Sequence, residues 1–162
     1  MIPDPQTRVL ALQNEEVDIA GGRISSIPLE SISVLKKDDK IKIHTTASST
    51  SYLMVFNYNN EIFQDINVRQ AINMAIDKKG MVANLMNGIG KPAEGLFQFT
   101  VPYVTNANNK WYPYDKKKAK ELLQNAGCSD KNSDGILEKN GRPLEINLVL
   151  QNIEYPEWKA MC

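Results

Sequence analysis

The sequence predicts an α/β fold with a mixed sheet, because segments with helical spacing alternate along the chain with segments of strand character. At 162 residues the chain is long enough to bury a core. Helices are predicted over residues 5–14, 28–36, 68–76, 78–87 and 116–126. Strands are predicted over residues 17–20, 41–44, 52–56 and 144–150.

The clearest local pattern is a pair of short helices between Asn67 and Gly88. Apolar residues recur at helical spacing from Val68 onwards, Asn67 is predicted to cap the first helix, and Asp77 is predicted to cap the second. Gly88 is predicted to end the pair in a left-handed conformation. The second helix is predicted to bury four apolar residues, Met81, Val82, Leu85 and Met86.

Two predicted strands differ in pattern. Residues 52–56 are apolar on both faces, which predicts burial on two sides, whereas residues 144–150 alternate and predict one buried face. Between helices, residues 90–114 are rich in Pro, Asn and aromatic residues, without either periodicity. A connection of this length is unusual and is often functional.

Composition excludes several classes of function. Lys plus Arg and Asp plus Glu number 19 each, so no net field favours nucleic acid or an anionic membrane. A dense group of lysines, Lys116, Lys117, Lys118 and Lys120, is interpreted as a solvated helix face. Cys128 and Cys162 lie too far apart to indicate a zinc motif or a disulfide framework.

Catalysis is not indicated by the sequence. His44 is the single histidine, it lies in a strand-like segment, and no nucleophile elbow, phosphate loop or zinc-protease motif is present. The acidic pairs at residues 15–16 and 38–39 are typical of exposed turns. We therefore expect a protein that is not an enzyme and has no catalytic residues.

A polar loop offers one candidate metal site. Asp130, Asn132 and Asp134 place oxygen ligands at alternate positions before Gly135, as a calcium loop requires. The twelfth position is Gly141, where a bidentate glutamate is expected. Two interpretations stay open: a polar turn before the last strand, and a weak structural calcium site. No other cofactor is expected.

Short motifs in a fixed order resemble those of a known family, the extracellular solute-binding proteins of family 5, which feed oligopeptide, dipeptide and nickel ABC importers. The central motifs are Phe56-Asn57, Phe63, Asp65, residues 68–71, residues 75–77 and Gly88. Others flank them at Thr7-Arg8, residues 11–13, residues 17–19, Tyr114-Asp115, Lys118-Ala119, Leu122-Leu123, Ala126-Gly127, residues 134–136, Gly141 and Pro143-Leu144.

The resemblance implies part of a two-lobed periplasmic-binding-protein-like fold of type II. Members of the family are much longer, and we interpret this chain as an internal fragment, without a leader segment and ending in a cut helix. Residues 1–57 would then be a segment of lobe one that ends in the lobe-crossing strand. Residues 58–162 would be the N-terminal part of lobe two.

The resemblance also implies that the protein captures oligopeptides or dipeptides outside the membrane. Two alternatives stay open: nickel or a nickel chelate as cargo, and a calcium-stabilised interaction module. Expected partners are the peptide ligand and the membrane permease of an ABC importer, with no nucleic acid. The full-length protein is expected to be periplasmic or a membrane-anchored lipoprotein, and the fragment is expected to self-associate through exposed strands.

Candidate ligand-binding residues lie in two places. Before the lobe-crossing strand, hydroxyl and aromatic side chains suit a ligand wall, although they also suit an ordinary strand entry: Ser49, Thr50, Ser51 and Tyr52. In the long loop, Phe97 and Phe99 can face a ligand or pin the loop onto the core.

Overall fold

The computed structural model describes residues 2–22, 25–46, 50–98, 100–151 and 158–162. Over these residues the helices are α1 (Pro5–Gln13), α2 (Leu29–Leu35), α3 (Ile66–Ala75), α4 (Lys78–Asn84), α5 (Lys116–Asn125) and α6 (Trp158–Met161), with a 3₁₀ turn at Glu61–Gln64. Strands β1 (Glu138–Lys139) and β2 (Arg142–Pro143) form an antiparallel hairpin. Within the described ranges, no helix has the length and apolar character needed to cross a membrane.

Aspartate side chains define where three of the helices begin. Asp4 Oδ1 accepts a hydrogen bond from the Thr7 backbone N–H at 2.7 Å at the start of α1. Asp115 caps α5 in the same way. At α3 the cap is Asp65, which accepts from the Asn67 N–H at 2.9 Å, so the prediction of Asn67 as the cap is wrong. Asp65 lies two residues before Asn67, and its carboxylate accepts one of the free backbone N–H groups at the start of the helix, that of Asn67 itself.

Contacts within the chain divide it into two compact units. One unit is Met1–Ala47 with Gly80–Lys91 and Gln151–Cys162, and the other is Ser48–Lys79 with Pro92–Leu150. The helices of both units begin and end within a few residues of the predicted bounds.

In the first unit, α1 and α2 are linked by side-chain hydrogen bonds, and each helix has buried residues. The Arg8 guanidinium is buried and donates to the backbone carbonyls of Ile2 and Ser26, both at 2.8 Å. Gln6 Nε2 donates to Glu30 Oε1 at 3.3 Å. Leu35 is one of the most buried side chains of the chain. An arginine that is paired with carbonyls in this way fixes the chain before and after α1.

In the second unit, α3 packs against α5. The buried contact consists of Ala71 and Met74 from α3 and Ala119 and Leu122 from α5. Alanines on both helices allow a close approach, and the Asp115 N–H donates to the Met74 carbonyl at 2.9 Å. The amphipathic periodicity predicted from the sequence thus forms the interface.

A second cluster of buried residues extends this core. It is formed by Phe63, Val68 and Cys128, and the rings of Phe56 and Phe63 lie 5.1 Å apart between centroids. Burial raises the pKa of the Cys128 thiol above its usual value. Cys128 and Cys162 are both free thiols.

The four predicted strands are not strands in the described residues of this chain. Residues 17–20, 41–44, 52–56 and 144–150 are not assigned to a strand in the described part of the chain. The predicted two-sided burial of residues 52–56 is also wrong, since the Val55 side chain is 87% exposed. A strand needs a neighbouring strand to satisfy its backbone groups, so an apolar pattern alone does not produce one.

The predicted burial on the second helix of the pair is also wrong. None of the residues of α4 is buried, and the helix ends at Asn84, so Leu85 and Met86 do not continue its face. Gly88 does adopt the predicted left-handed conformation, with φ of +74°. Its N–H donates to the Val82 carbonyl at 2.9 Å.

An ion pair joins the start of α3 to the hairpin. Besides capping α3, Asp65 accepts from Lys139 Nζ on β1 at 2.9 Å, and both side chains are mostly shielded from solvent. The hydrogen bond from Lys139 is the main reason that the pKa of Asp65 lies below its usual value. Ionised Asp65 therefore stabilises the fold above a pH of about 4, and this contribution is lost as the pH falls through the lowered pKa.

We expect Lys139→Met to reduce the free energy of unfolding at pH 7 by about 1 to 3 kcal/mol, because the Asp65 carboxylate loses its charged donor. The difference from the wild type should shrink as the pH falls below about 4. Denaturant unfolding at several pH values measures both effects, with Lys131→Met as the control at an exposed lysine. A difference that stays constant down to pH 2 would contradict the account.

Candidate functional site

The segment at residues 50–52 is tied to the long loop by one side-chain hydrogen bond. Gln98 Nε2 donates to Ser51 Oγ at 2.9 Å, across 47 positions of sequence. Ser51 and Gln98 are half-buried, Thr50 is exposed, and the Tyr52 side chain is 38% exposed. Hydroxyl and aromatic surface is therefore presented next to an amide from the loop.

The loop that carries Gln98 is held by a buried asparagine. Asn109 is 6% exposed, its Nδ2 donates to the Phe97 carbonyl at 2.9 Å, and its Oδ1 accepts from the Phe97 N–H at 3.4 Å. The Asn109 amide thereby satisfies both backbone groups of Phe97, as a strand partner would. The Phe97 ring remains more than half exposed.

Gly95 leaves the space that Asn109 occupies. Its φ is +147°, in the region that favours glycine, and a Cβ at this position would lie 1.9 Å from Asn109 Oδ1. No side chain fits there while Asn109 remains in place. The loop conformation thus depends on a glycine and an asparagine that are 14 positions apart.

Next to this pair, the loop forms an open hollow of about 400 Å³. Its lining is Glu94, Asn106, Asn109, Lys110, Trp111 and Tyr112. Tyr112 Oη accepts from Gln70 Nε2 of α3 at 3.0 Å, so this aromatic residue attaches the loop to the core. Trp111 is 44% exposed. The loop aromatics thus include one that fixes the loop to a helix and others with exposed rings.

The structure brings some of the predicted ligand-binding residues together and leaves others undescribed. Thr50, Ser51 and Tyr52 lie in one extended segment, and Ser51 is joined to the residue after Phe97. Ser49 and Phe99 lie outside the described residues. Sequence reasoning missed Gln98, Asn109 and Gly95, because polar residues and glycine in an aperiodic loop carry no spacing signal.

The predicted metal loop is organised by hydrogen bonds to its own backbone. Asp130 accepts from the N–H groups of Ser133 at 2.6 Å and Gly135 at 2.9 Å. Asp134 Oδ1 accepts from the Ile136 N–H, and Asn132 Nδ2 donates to Asp134 Oδ2 at 2.9 Å. These bonds are those of a polar turn, the first of the two interpretations.

Glu138 adds a third carboxylate that sequence reasoning did not include. Its oxygen lies within 4.8 Å of carboxylate oxygens of Asp130 and Asp134, and it accepts from the Lys131 N–H at 2.9 Å. Glu138 is the ninth residue counted from Asp130, a position that often binds calcium through water. The calcium site remains a prediction, with Asp130, Asn132 and Asp134 as its named ligands.

Comparison with known proteins shows the family. Residues 1–162 match the sequence profile described as bacterial extracellular solute-binding proteins, family 5 Middle. The chain belongs to this family. The resemblance deduced from the short motifs is thereby confirmed.

Individual relatives agree with this assignment. The chain is 32% identical over 148 residues to the nickel-binding periplasmic protein of Escherichia coli K12, covering 91% of this chain and 28% of that protein. The crystal structure of NikA from Brucella suis in complex with Fe(III)-EDTA matches with a TM-score of 0.72 and 36% identity, over 88% of this chain and 28% of the other.

A peptide-binding relative matches over a similar range. The structure of oligopeptide-binding protein AppA from Bacillus subtilis, in complex with a nonapeptide, matches with a TM-score of 0.66 and 29% identity. It covers 88% of this chain and 28% of that chain. The periplasmic-binding-protein-like fold class is confirmed by these matches, and the chain spans just over a quarter of the length of the relatives.

We expect calcium to bind weakly at the loop of Asp130, because the glutamate of the twelfth position is absent and the carboxylates already accept backbone hydrogen bonds. Isothermal titration with millimolar calcium checks this. The Asp130→Ala variant shows whether any heat of binding comes from this loop. A submicromolar, stoichiometric site that Asp130→Ala abolishes would overturn the turn interpretation.

We expect Gly95→Ala to destabilise the protein by about 2 kcal/mol or more, because the added methyl group displaces Asn109 and strains the backbone. Part of this cost should disappear in the Asn109→Ala background, where the Cβ meets no amide. Denaturant unfolding of both single variants and the double variant measures the difference. Strictly additive losses would show that the two residues do not compete for space.

Proposed function

We propose that this chain is part of the substrate-binding component of an ABC importer, which captures oligopeptides or dipeptides outside the membrane. The observation that carries the proposal is the match to the solute-binding family along residues 1–162. The relatives are named as binding proteins, which supports a role in binding and not in catalysis. The chain would belong to a longer, two-lobed receptor, with residues 1–57 from lobe one and residues 58–162 from lobe two.

The proposed cargo wall is the segment Thr50, Ser51 and Tyr52 together with Phe97 of the loop. Ser49 and Phe99 belong to the same proposal and lie outside the described residues. Hydroxyls exchange hydrogen bonds with peptide groups, and an exposed tyrosine ring offers a flat apolar surface. The Gln98–Ser51 hydrogen bond supports the assignment, because it joins the two parts of the proposed wall.

Nickel or a nickel chelate is the second candidate cargo. The specific observation in its favour is the similarity to the nickel-binding periplasmic protein of Escherichia coli and to NikA from Brucella suis, whose structure contains Fe(III)-EDTA. A chelate and a short peptide both present carboxylate oxygens, so hydroxyl groups on the wall are compatible with either. A third candidate, a calcium-stabilised interaction module, depends on the loop of Asp130.

Native mass spectrometry of the full-length receptor from its source tests the proposal and separates the candidates. A co-purified mass that fragments into amino-acid residues supports a peptide receptor. A mass with the isotope pattern of nickel supports the chelate. A receptor that carries neither, and is stabilised by neither in a thermal-shift screen, would overturn the proposed function.

The setting of the receptor follows from the same proposal. Relatives that carry the word periplasmic in their names support a place outside the inner membrane, either free in the periplasm or held by a lipid anchor. The partner would be the membrane permease of the importer. The chain alone would self-associate through exposed apolar residues such as Leu53, Val55 and Val149, which light scattering measures.

We expect Tyr52→Ala in the full-length receptor to weaken cargo binding by about 1 to 3 kcal/mol, because the ring would lose its contact with the cargo. Isothermal titration measures the affinity, and thermal unfolding shows whether the fold is retained. Val55→Ala, at an exposed side chain of the same segment that is not part of the proposed wall, is the matched control. Unchanged affinity for Tyr52→Ala, or a loss of stability without a change in binding, would assign Tyr52 to the core.

A further inference from the structure

We propose that Gln98 determines specificity at the cargo wall by holding the Ser51 hydroxyl as a hydrogen-bond donor toward an oxygen acceptor of the cargo, a peptide carbonyl or a carboxylate. This inference rests on the proposed function. It adds a residue that neither the sequence motifs nor the names of the relatives indicate. It also assigns a chemical class to the atom that Ser51 contacts.

The polarity of the hydrogen bond supplies the argument. Gln98 Nε2 donates to Ser51 Oγ at 2.9 Å, which occupies one of the two lone pairs of the hydroxyl oxygen. A serine hydroxyl that accepts in this way keeps its own proton to donate. A carbonyl or carboxylate oxygen of the cargo can accept that proton, whereas an ammonium group cannot. Ser51 would therefore donate to the acceptor side of a peptide group or to the carboxylate of a chelate.

The structure also explains how Gln98 reaches Ser51. Asn109 fixes both backbone groups of Phe97, the residue immediately before Gln98, and Asn109 is itself buried. The loop is further attached to α3 through Tyr112 and Gln70. Because this backbone is fixed before cargo arrives, only the side-chain torsions of Gln98 have to be ordered for its amide to reach Ser51. Gln98 thus differs from a surface glutamine that meets a serine by chance.

Ser51 and Tyr52 are placed to contact the same cargo molecule. Ser51 lies directly beside Tyr52, the ring proposed to contact cargo, and both Ser51 and Gln98 are half-buried. Partial burial strengthens a hydrogen bond relative to one in water. Loss of the Gln98 amide would free the Ser51 hydroxyl to rotate and to donate elsewhere, which would reduce the preference for an acceptor on the cargo.

The test measures affinity in the full-length receptor for two probes, a nonapeptide pool and Fe(III)-EDTA, which separate the two sources of acceptor oxygens. Gln98→Met keeps the length of the side chain and removes the donor, and we expect about a tenfold loss of affinity for the probe that the wild type binds. Ser51→Ala should cause a similar loss. The double variant should lose no more than the larger single loss, because both changes remove one coupled interaction.

A second substitution tests the polarity. Gln98→Glu places a carboxylate beside Ser51, and a carboxylate can only accept, so the hydroxyl proton is withdrawn from the cargo. The loss of affinity should be at least as large as for Gln98→Met. Gln124→Met, at an exposed glutamine of α5, is the matched control and should leave affinity unchanged. Thermal unfolding of each variant confirms that the fold persists.

The possible outcomes distinguish failure of this inference from failure of the proposed function. Wild-type binding that Gln98→Met and Gln98→Glu leave unchanged would overturn this inference and leave the proposed function intact. Losses that add in the double variant would show that Gln98 and Ser51 act separately, which also overturns it. Failure of the wild type to bind either probe, or any co-purified cargo, would overturn the proposed function and this inference with it.

Discussion

The packing of α3 against α5 is the interaction on which the second unit depends. Ala71 of α3 is fully buried against α5, where alanine is small enough for the two helices to approach closely. One polar contact, from the Asp115 N–H to the Met74 carbonyl, reinforces this interface, and another, from Lys139 to Asp65, joins the start of α3 to the hairpin. A larger residue at position 71 would separate the helices and disturb both contacts.

The α3–α5 pair positions the proposed cargo wall through a series of contacts. Gln70, next to Ala71, holds Tyr112 of the long loop. Further back in the same loop, Asn109 fixes the backbone of Phe97, and the following residue, Gln98, reaches Ser51. This contact holds the segment at residues 50–52 beside the loop. A helical core thereby positions a wall that lies outside it.

The sequence was sufficient for the helices and insufficient for the strands, for a physical reason. A helix satisfies its backbone groups internally, so the periodicity of residues 66–75 and a cap such as Asp65 predict it well. Strand backbones are satisfied by partners that can be remote in sequence. Residues 144–150 belong to neither strand of the described hairpin, although the Leu144 N–H donates to the Leu137 carbonyl. The segment at residues 50–52 was predicted from hydroxyl and aromatic composition, whereas Gln98 was found only from its contact.

A crystal structure of the full-length receptor with its co-purified cargo tests the central claim most directly. The account predicts cargo density in contact with the Tyr52 ring and a carbonyl or carboxylate oxygen of the cargo within about 3.5 Å of Ser51 Oγ. The Gln98 amide should still donate to that hydroxyl. Cargo bound elsewhere, with Ser51 and Tyr52 packed only against other parts of the protein, would contradict it.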